Sequence, residues 1–191
     1  MKKDFPVSDF RILISGLGVP QGALILDLGC GTGLHARELA AAGFRVVAAD
    51  ADFDAAATGR ELGRDGGGRK PAFLAARAEA LPFPRGVFAG VACLDVLHWA
   101  RDEANFHSMW RGAWGALKPG GFFLVRSLLA DGQPAAQATG NGRYRLDSGA
   151  EWFLPRLDAI QALLAEANAE PPEVLTPGQG GTTLILSRKP A

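Results

Sequence analysis

The chain has 191 residues, and its 20 basic and 20 acidic side chains give a formal net charge of zero at pH 7. This length suits one domain with a sizeable core, which we predict over residues 1–191, and the charge balance argues against an extended nucleic-acid-binding face. No apolar stretch is long enough to span a bilayer, and the N-terminal residues lack the apolar region of a secretory signal. We therefore expect a cytoplasmic monomer or homodimer that binds neither a membrane nor nucleic acid.

Apolar runs and helix-forming segments alternate along the sequence. After a loose arm and a short helix within residues 1–20, the first strand leads into Asp27. Further strands are predicted over 44–50, 71–75, within 86–97, and over 122–129, 172–177 and 182–190, and helices over 34–42, 53–64, 102–117 and 155–167. The polar, glycine-rich residues 130–150 are predicted to form a long loop. Alternating strands and helices predict an α/β fold with a mostly parallel sheet covered on both faces.

The two cysteines, Cys30 and Cys93, are too few for a disulfide framework or a zinc site. We predict two buried, reduced thiols, Cys30 just after the first strand and Cys93 at the end of the neighbouring fourth strand. No cluster of histidine, cysteine or acidic residues has the spacing of metal ligands, so no metal is predicted.

The stretch LILDLGCGTG, residues 24–33, joins the first strand to a helix through Gly29, Gly31 and Gly33. Glycines permit positive φ and carry no Cβ, so a ligand can lie against bare backbone at the positive end of the helix dipole. A dinucleotide-binding fingerprint requires G-x-G-x-x-G, and Leu34 stands where its third glycine belongs. A nicotinamide-dependent oxidoreductase is therefore a weaker hypothesis, and a plain strand-to-helix turn is the structural alternative.

The segment DLGCGTG, residues 27–33, resembles motif I of the class I S-adenosylmethionine-dependent methyltransferases. Similar landmarks follow in order at residues 50, 76–83, 94–99 and 117–121. The resemblance covers nearly the whole chain. It implies a Rossmann-like, seven-stranded sheet in the order 3-2-1-4-5-7-6, with strand 7 antiparallel, and S-adenosylmethionine as the cofactor.

The resemblance also implies which residues bind the cofactor. The methionine part would lie on the glycine turn, the ribose hydroxyls would bind the acid that ends the second strand, and the adenine would lie against the segments after the third and fourth strands. The matching residues are Asp27, Gly29, Cys30, Gly31, Gly33, Asp50, Ala51, Arg77, Ala78, Glu79 and Leu94. Asp50 has an alternative as a helix N-cap, but Asp52 can take that role.

Two positions depart from the family pattern. Arg77 stands where an aspartate is common, and Ala89 where the family often has an aspartate after phenylalanine. A guanidinium cannot accept a hydrogen bond from the adenine amino group, although it can stack on the ring or turn to solvent. The backbone N–H of Ala78 can still serve the ring.

The acceptor side carries fewer signals. His98 follows the fourth strand and is a candidate general base, with Asp95 as a similar case; the alternative is a structural histidine held by backbone groups. Trp99 and Trp152 flank the expected pocket loops, and Arg143 and Tyr144 lie in the predicted loop over the acceptor site, which can equally be a solvated loop. Trp110 and Trp114 have helical spacing and are predicted to be core residues or oligomer contacts.

These patterns favour a methyltransferase that acts on a small molecule. The sequence does not determine whether the acceptor atom is oxygen, nitrogen, sulfur or carbon. Because Arg77 and Ala89 depart from the family pattern, the alternative is a non-catalytic or regulatory protein that binds S-adenosylmethionine or S-adenosylhomocysteine.

Overall fold

A computed structural model describes residues 14, 16–62, 69–133, 135–175 and 182–191. Most of the predicted N-terminal arm and helix lies outside these residues, as do the last residues of the helix predicted over 53–64 and of the strand predicted over 172–177. The described strands are β1 (Leu24–Leu28), β2 (Arg45–Asp50), β3 (Ala72–Ala75), β4 (Phe88–Leu94), β5 (Leu117–Leu128), β6 (Gln137–Gly140), β7 (Arg143–Arg145), β8 (Glu151–Phe153), β9 (Glu173–Leu175) and β10 (Thr182–Arg188). The described α-helices are α1 (Leu34–Ala41), α2 (Phe53–Leu62), α3 (Glu103–Ala116) and α4 (Leu157–Glu166).

Seven strands form one sheet in the order β3-β2-β1-β4-β5-β10-β9. The first five pair in parallel, and β10 runs antiparallel to both β5 and β9. Since β9 and β10 are the sixth and seventh strands of this sheet along the chain, the predicted order 3-2-1-4-5-7-6 and its antiparallel last strand are confirmed.

The core lies on both faces of the sheet because the central strands are apolar on both sides. All seven residues of β4 are buried, which is typical of a central parallel strand. Along β5 the side chains alternate: Phe123 and Val125 join one buried cluster with α3 and α4, and Phe122 and Leu124 join another with α1. Helices therefore cover both faces, as predicted.

Two smaller predictions about buried side chains are confirmed. Trp110 and Trp114 are core residues of α3, with 2% and 8% of their surface exposed. Cys30 and Cys93 are both buried and free, on the neighbouring β1 and β4 segments. None of the described helices is long and apolar enough to cross a bilayer.

The prediction of a loop without regular structure over residues 130–150 is wrong. Residues 137–153 contain a second, three-stranded antiparallel sheet in the order β6-β7-β8. Its first turn runs through Gly140, Asn141 and Gly142, all with positive φ. Asn-Gly is a strong local signal for a β-hairpin, because both residues tolerate the left-handed conformation. The surrounding residues are polar and show no strand periodicity, so the Asn-Gly signal alone does not predict the small sheet.

Candidate functional site

The carboxyl ends of β1 to β4 surround a cavity of about 470 Å³. Ligands of open α/β sheets bind at this edge, where the strand order reverses between β1 and β4. The described residues that line the cavity are Leu28, Gly29, Gly31, Asp50, Ala51, Asp52, Ala55, Ala76, Arg77, Ala78, Glu79, Asp95, Val96, Trp99, Asn105 and Met109. The structure thus brings together seven of the eleven residues predicted to bind the cofactor.

The glycine turn after β1 needs glycine for two different reasons, close packing and ligand access. At Gly29 and Gly33, both with positive φ, a Cβ would overlap the side chains of Val96 and Phe73 respectively. At Gly31, with φ +50°, a Cβ would meet no protein atom within 4 Å. Gly29 and Gly33 must therefore be glycine because neighbouring side chains occupy the space of a Cβ. Gly31 borders open space in which a ligand can approach the backbone. This arrangement fits the expected cofactor.

Asp50 ends β2 and is tied to the glycine turn. Its Oδ2 accepts a hydrogen bond from the Gly31 N–H at 2.7 Å, and its Oδ1 accepts one from the Asp52 N–H at 2.8 Å. Asp52 caps α2, since its Oδ1 accepts from the N–H groups of Asp54 and Ala55 at 2.9 and 3.2 Å. The cap role thus falls to Asp52, and the Asp50 carboxylate remains in the cavity wall.

Asp27 lies beneath the turn and outside the described lining. It is 2% exposed, and burial raises the pKa of its carboxyl to about 7, against the lowering effect of a hydrogen bond from the Ala36 backbone. Its Oδ2 has no hydrogen-bond partner among the described residues. Cys30, Gly33 and Leu94 also lie outside the described lining. Their predicted contact with the cofactor stays a prediction.

Arg77 and Glu79 line the side of the cavity nearest β3. Arg77 Nε donates to Glu79 Oε1 at 2.9 Å, and 59% of the Arg77 side chain is exposed. Burial would raise the pKa of Glu79, but hydrogen bonds from its own backbone, Arg77 and Asn105 hold it below its usual range. The guanidinium is therefore held at the rim by a carboxylate. Asn105 on α3 was not a predicted site residue, because helical periodicity alone does not show that α3 reaches the cavity.

Asp95 follows β4 and is held by β5. Its backbone N–H donates to the Arg126 carbonyl at 2.9 Å, and Arg126 Nε donates to Asp95 Oδ2 at 2.9 Å. Arg126 was missed in the sequence; the available signal was a single arginine inside the apolar run FFLVRSLL, residues 122–129.

His98 is packed between aromatic rings. It is 9% exposed, its ring stacks on Trp152 with centroids 4.5 Å apart, and the Trp99 ring lies 5.1 Å away. Burial lowers the pKa of His98, while the charge of Asp95 opposes that shift. His98 lies outside the described cavity lining, and its ring contacts are to aromatic side chains. Its role as a general base stays a prediction.

The other predicted acceptor residues divide into two groups. Trp99 lines the cavity and is 68% exposed. Arg143 joins the small sheet to the segment after β4, because its Nη1 donates to the Ala100 carbonyl at 3.1 Å and its Nη2 to the Glu151 carbonyl at 2.7 Å. Tyr144 lies opposite Trp152 in the β7–β8 register. Arg143, Tyr144 and Trp152 therefore lie in or against the small sheet, outside the described lining.

One known protein family matches the part of the chain that carries both the central strands and the glycine turn. A model of the methyltransferase domain matches residues 26–125, which include the glycine turn and strands β2 to β4. The chain belongs to the class I S-adenosylmethionine-dependent methyltransferase family. Within the described residues of this methyltransferase domain, no group of three or more histidine, cysteine or acidic residues is arranged to hold a metal ion.

A curated relative is similar at low identity. A tRNA U34 carboxymethyltransferase from Methylococcus capsulatus is 26% identical over 159 residues, which are 83% of this chain and 48% of that protein. The chain thus spans about half the length of the curated relative it matches.

Solved methyltransferase structures share the fold over nearly the whole chain. A methyltransferase from Methanosarcina mazei has a TM-score of 0.75 at 19% identity, covering 93% of this chain and 97% of that one. The N1-methyltransferase for 1,6-didemethyltoxoflavin from Burkholderia thailandensis, with S-adenosylhomocysteine bound, has a TM-score of 0.69 at 20% identity, covering 94% and 76%.

Proposed function

We propose that this protein transfers a methyl group from S-adenosylmethionine to a small-molecule acceptor. The observation that carries the proposal is the cavity itself, because its volume of about 470 Å³ falls in the range of small-molecule sites. Family membership supports the reaction class. When bound, the cofactor supplies a methyl group on a cationic sulfur, which is already activated for attack.

The residues of the cavity suggest how the cofactor is held. Both oxygens of the Asp50 carboxylate keep lone pairs beyond those used by Gly31 and Asp52, so they can accept hydrogen bonds from the two ribose hydroxyls. The bare backbone at Gly31 suits the methionine part. Toward β3, Ala78 lines the cavity, and its backbone N–H can serve the edge of the adenine ring. The protein then contributes mainly proximity and orientation.

The charge of the cavity favours a small acceptor over a nucleic acid. Four acids line it, Asp50, Asp52, Glu79 and Asp95, and the one basic residue of the described lining, Arg77, is paired with Glu79. An acidic wall attracts a cationic cofactor and repels a phosphate backbone. A tRNA acceptor is the second candidate, favoured by the name of the relative from Methylococcus capsulatus.

A transfer assay separates these candidates. The protein is incubated with S-adenosylmethionine labelled in the methyl group and, in parallel, with total tRNA and with pools of small amines, phenols, thiols and carboxylic acids. We expect label in a small-molecule pool and none in tRNA. Label in tRNA alone would contradict the proposed acceptor class. Binding of S-adenosylhomocysteine without transfer to any pool would instead match the non-catalytic alternative.

A further inference from the structure

The segment after β4 places a strained acidic residue in the cavity wall. Asp95 has a φ of 59°, in the left-handed region that residues other than glycine rarely adopt. It belongs to the cavity lining, and 41% of its side chain is exposed. Such conformations cost free energy, persist where surrounding contacts enforce them, and cluster at ligand sites. The backbone conformation of Asp95 therefore suggests that this residue contacts a ligand.

Contacts from Arg126 fix the Asp95 carboxylate in one orientation. Arg126 Nε and Nη2 both donate to Oδ2, and the Asp95 N–H donates to the Arg126 carbonyl. Both side-chain bonds end on the same oxygen, so Oδ1 remains free to accept from a ligand. Arg126 lies outside the described lining and is 25% exposed. A ligand in the cavity thus meets the carboxylate rather than the guanidinium.

The strand order gives Asp95 its position along the cofactor. The strands run β3-β2-β1-β4, so residues 77–79, Asp50, the glycine turn and Asp95 follow one another along the carboxyl edge. If the ribose binds Asp50 and the adenine lies beside residues 77–79, the amino-acid end and its sulfur lie over β1 and β4. Asp95 and the exposed ring of Trp99 are then on the acceptor side of the cavity.

We propose that the methyl acceptor is an amine and that Asp95 binds its nucleophilic nitrogen. The inference rests on the proposed function and names its substrate class. An amine N–H donates to Oδ1 of Asp95, and Trp99 offers an aromatic face that attracts a cationic or amine-bearing group. A carboxylate or phosphate acceptor would instead be repelled by Asp95.

The same arrangement stabilises the product of transfer. As the lone pair of the neutral amine nitrogen forms its bond to the methyl carbon, the carbon–sulfur bond breaks and its electron pair stays on sulfur. The positive charge moves to nitrogen, so the product is a methylated ammonium that gives up its proton to solvent after release. Asp95 lies where that charge arrives and is already oriented by Arg126. A preorganised carboxylate stabilises the developing charge without a further cost of reorganisation.

Two ligands test the position of Asp95 without knowledge of the acceptor. S-adenosylhomocysteine has a neutral sulfur, and sinefungin carries a primary amine where S-adenosylmethionine carries its methylated sulfur. Both affinities are measured by calorimetry for the wild-type protein and for Asp95→Asn, since asparagine tolerates positive φ. Asp95→Gly removes the side chain and relieves the strain. Asp158→Asn is the matched control, because Asp158 is also paired with an arginine but lies outside the described lining.

We expect Asp95→Asn and Asp95→Gly each to lower the preference for sinefungin over S-adenosylhomocysteine by roughly tenfold, which is the effect of one charge-assisted hydrogen bond. Asp158→Asn leaves the preference unchanged. An unchanged preference in both Asp95 variants would overturn the inference. Equal losses for the two ligands would also overturn it, because Asp95 would then contact the amino-acid end of the cofactor.

Turnover tests the amine assignment separately. With S-adenosylmethionine and matched panels of amines, phenols and carboxylic acids, we expect transfer to amines. Asp95→Asn should lower kcat/KM for the amine at least tenfold, with a smaller rise in KM for S-adenosylmethionine, whose sulfonium is charged but has no N–H to donate to Asp95. Transfer confined to phenols or acids would overturn the amine assignment and leave the proposed function standing. Failure of the wild-type protein to bind either cofactor analogue would overturn the proposed function itself.

Discussion

Replacement of Asp50 by alanine should separate cofactor binding from folding. The turn after β1 keeps a second attachment to β2, because the N–H groups of Gly29 and Cys30 donate to the Ala49 carbonyl at 2.7 and 3.2 Å. The Gly31 N–H loses its carboxylate partner but borders the cavity, where water can replace it. We therefore expect the folded structure to persist in Asp50→Ala.

The expected loss of affinity follows from the two ribose hydroxyls assigned to Asp50. A hydrogen bond to a charged group contributes about 1.5 kcal/mol or more, so loss of two costs about 3 kcal/mol, or roughly 100-fold in Kd. Calorimetric titration with S-adenosylhomocysteine measures this change, and thermal unfolding checks the fold. Asp52→Ala is the matched control: it should lower stability by about 1 kcal/mol through the lost α2 cap, with little change in Kd. An unchanged Kd in a folded Asp50→Ala variant would refute the ribose assignment.

The remaining predictions concern the turn and the buried acid beneath it. Gly29→Ala should cost about 2 kcal/mol or more in thermal unfolding, because its Cβ overlaps Val96, whereas Gly31→Ala should cost about 1 kcal/mol and mainly weaken S-adenosylhomocysteine binding; equal stability losses would contradict this division. The pKa of Asp27 is raised from 3.8 to about 7 in the folded protein, so its contribution favours folding at low pH and is lost as the pH rises through this window. Urea unfolding should therefore show Asp27→Asn to be more stable than wild type at pH 8 by up to a few kcal/mol, with a free energy of unfolding that depends less on pH. An unchanged pH dependence would show that Asp27 is not the responsible group.

The central strands of the main sheet could be predicted because they carry strong local signals, and the strand order follows from the family resemblance. The uniformly apolar β4 and the apolar run of β5 over residues 122–125 are visible in the sequence, and the glycine turn marks where β1 ends. The small sheet could not be predicted in this way. Its strands have only three or four residues, and β6 is exposed along its whole length, so hydrophobic periodicity is absent.

The candidate site was predictable where residues act through the backbone or through a strand end. Gly31 and Asp50 are examples, since both are set by the βα unit that contains them. The pairing of Asp95 with Arg126 depends on the parallel register of β4 and β5, where Leu94 lies opposite Arg126. A contact across 31 residues leaves no trace in the local pattern of either segment. The burial of Asp27 likewise depends on tertiary packing around the turn, including the Ala36 backbone.

The most direct test of the central claim is a crystal structure of the protein with S-adenosylhomocysteine. We predict that the ligand occupies the cavity at the carboxyl ends of β1 to β4, with its ribose hydroxyls on the Asp50 carboxylate and its methionine part against Gly29 and Gly31. Its sulfur should lie on the same side of the cavity as Asp95. A ligand bound elsewhere, or one whose ribose does not contact Asp50, would contradict this account.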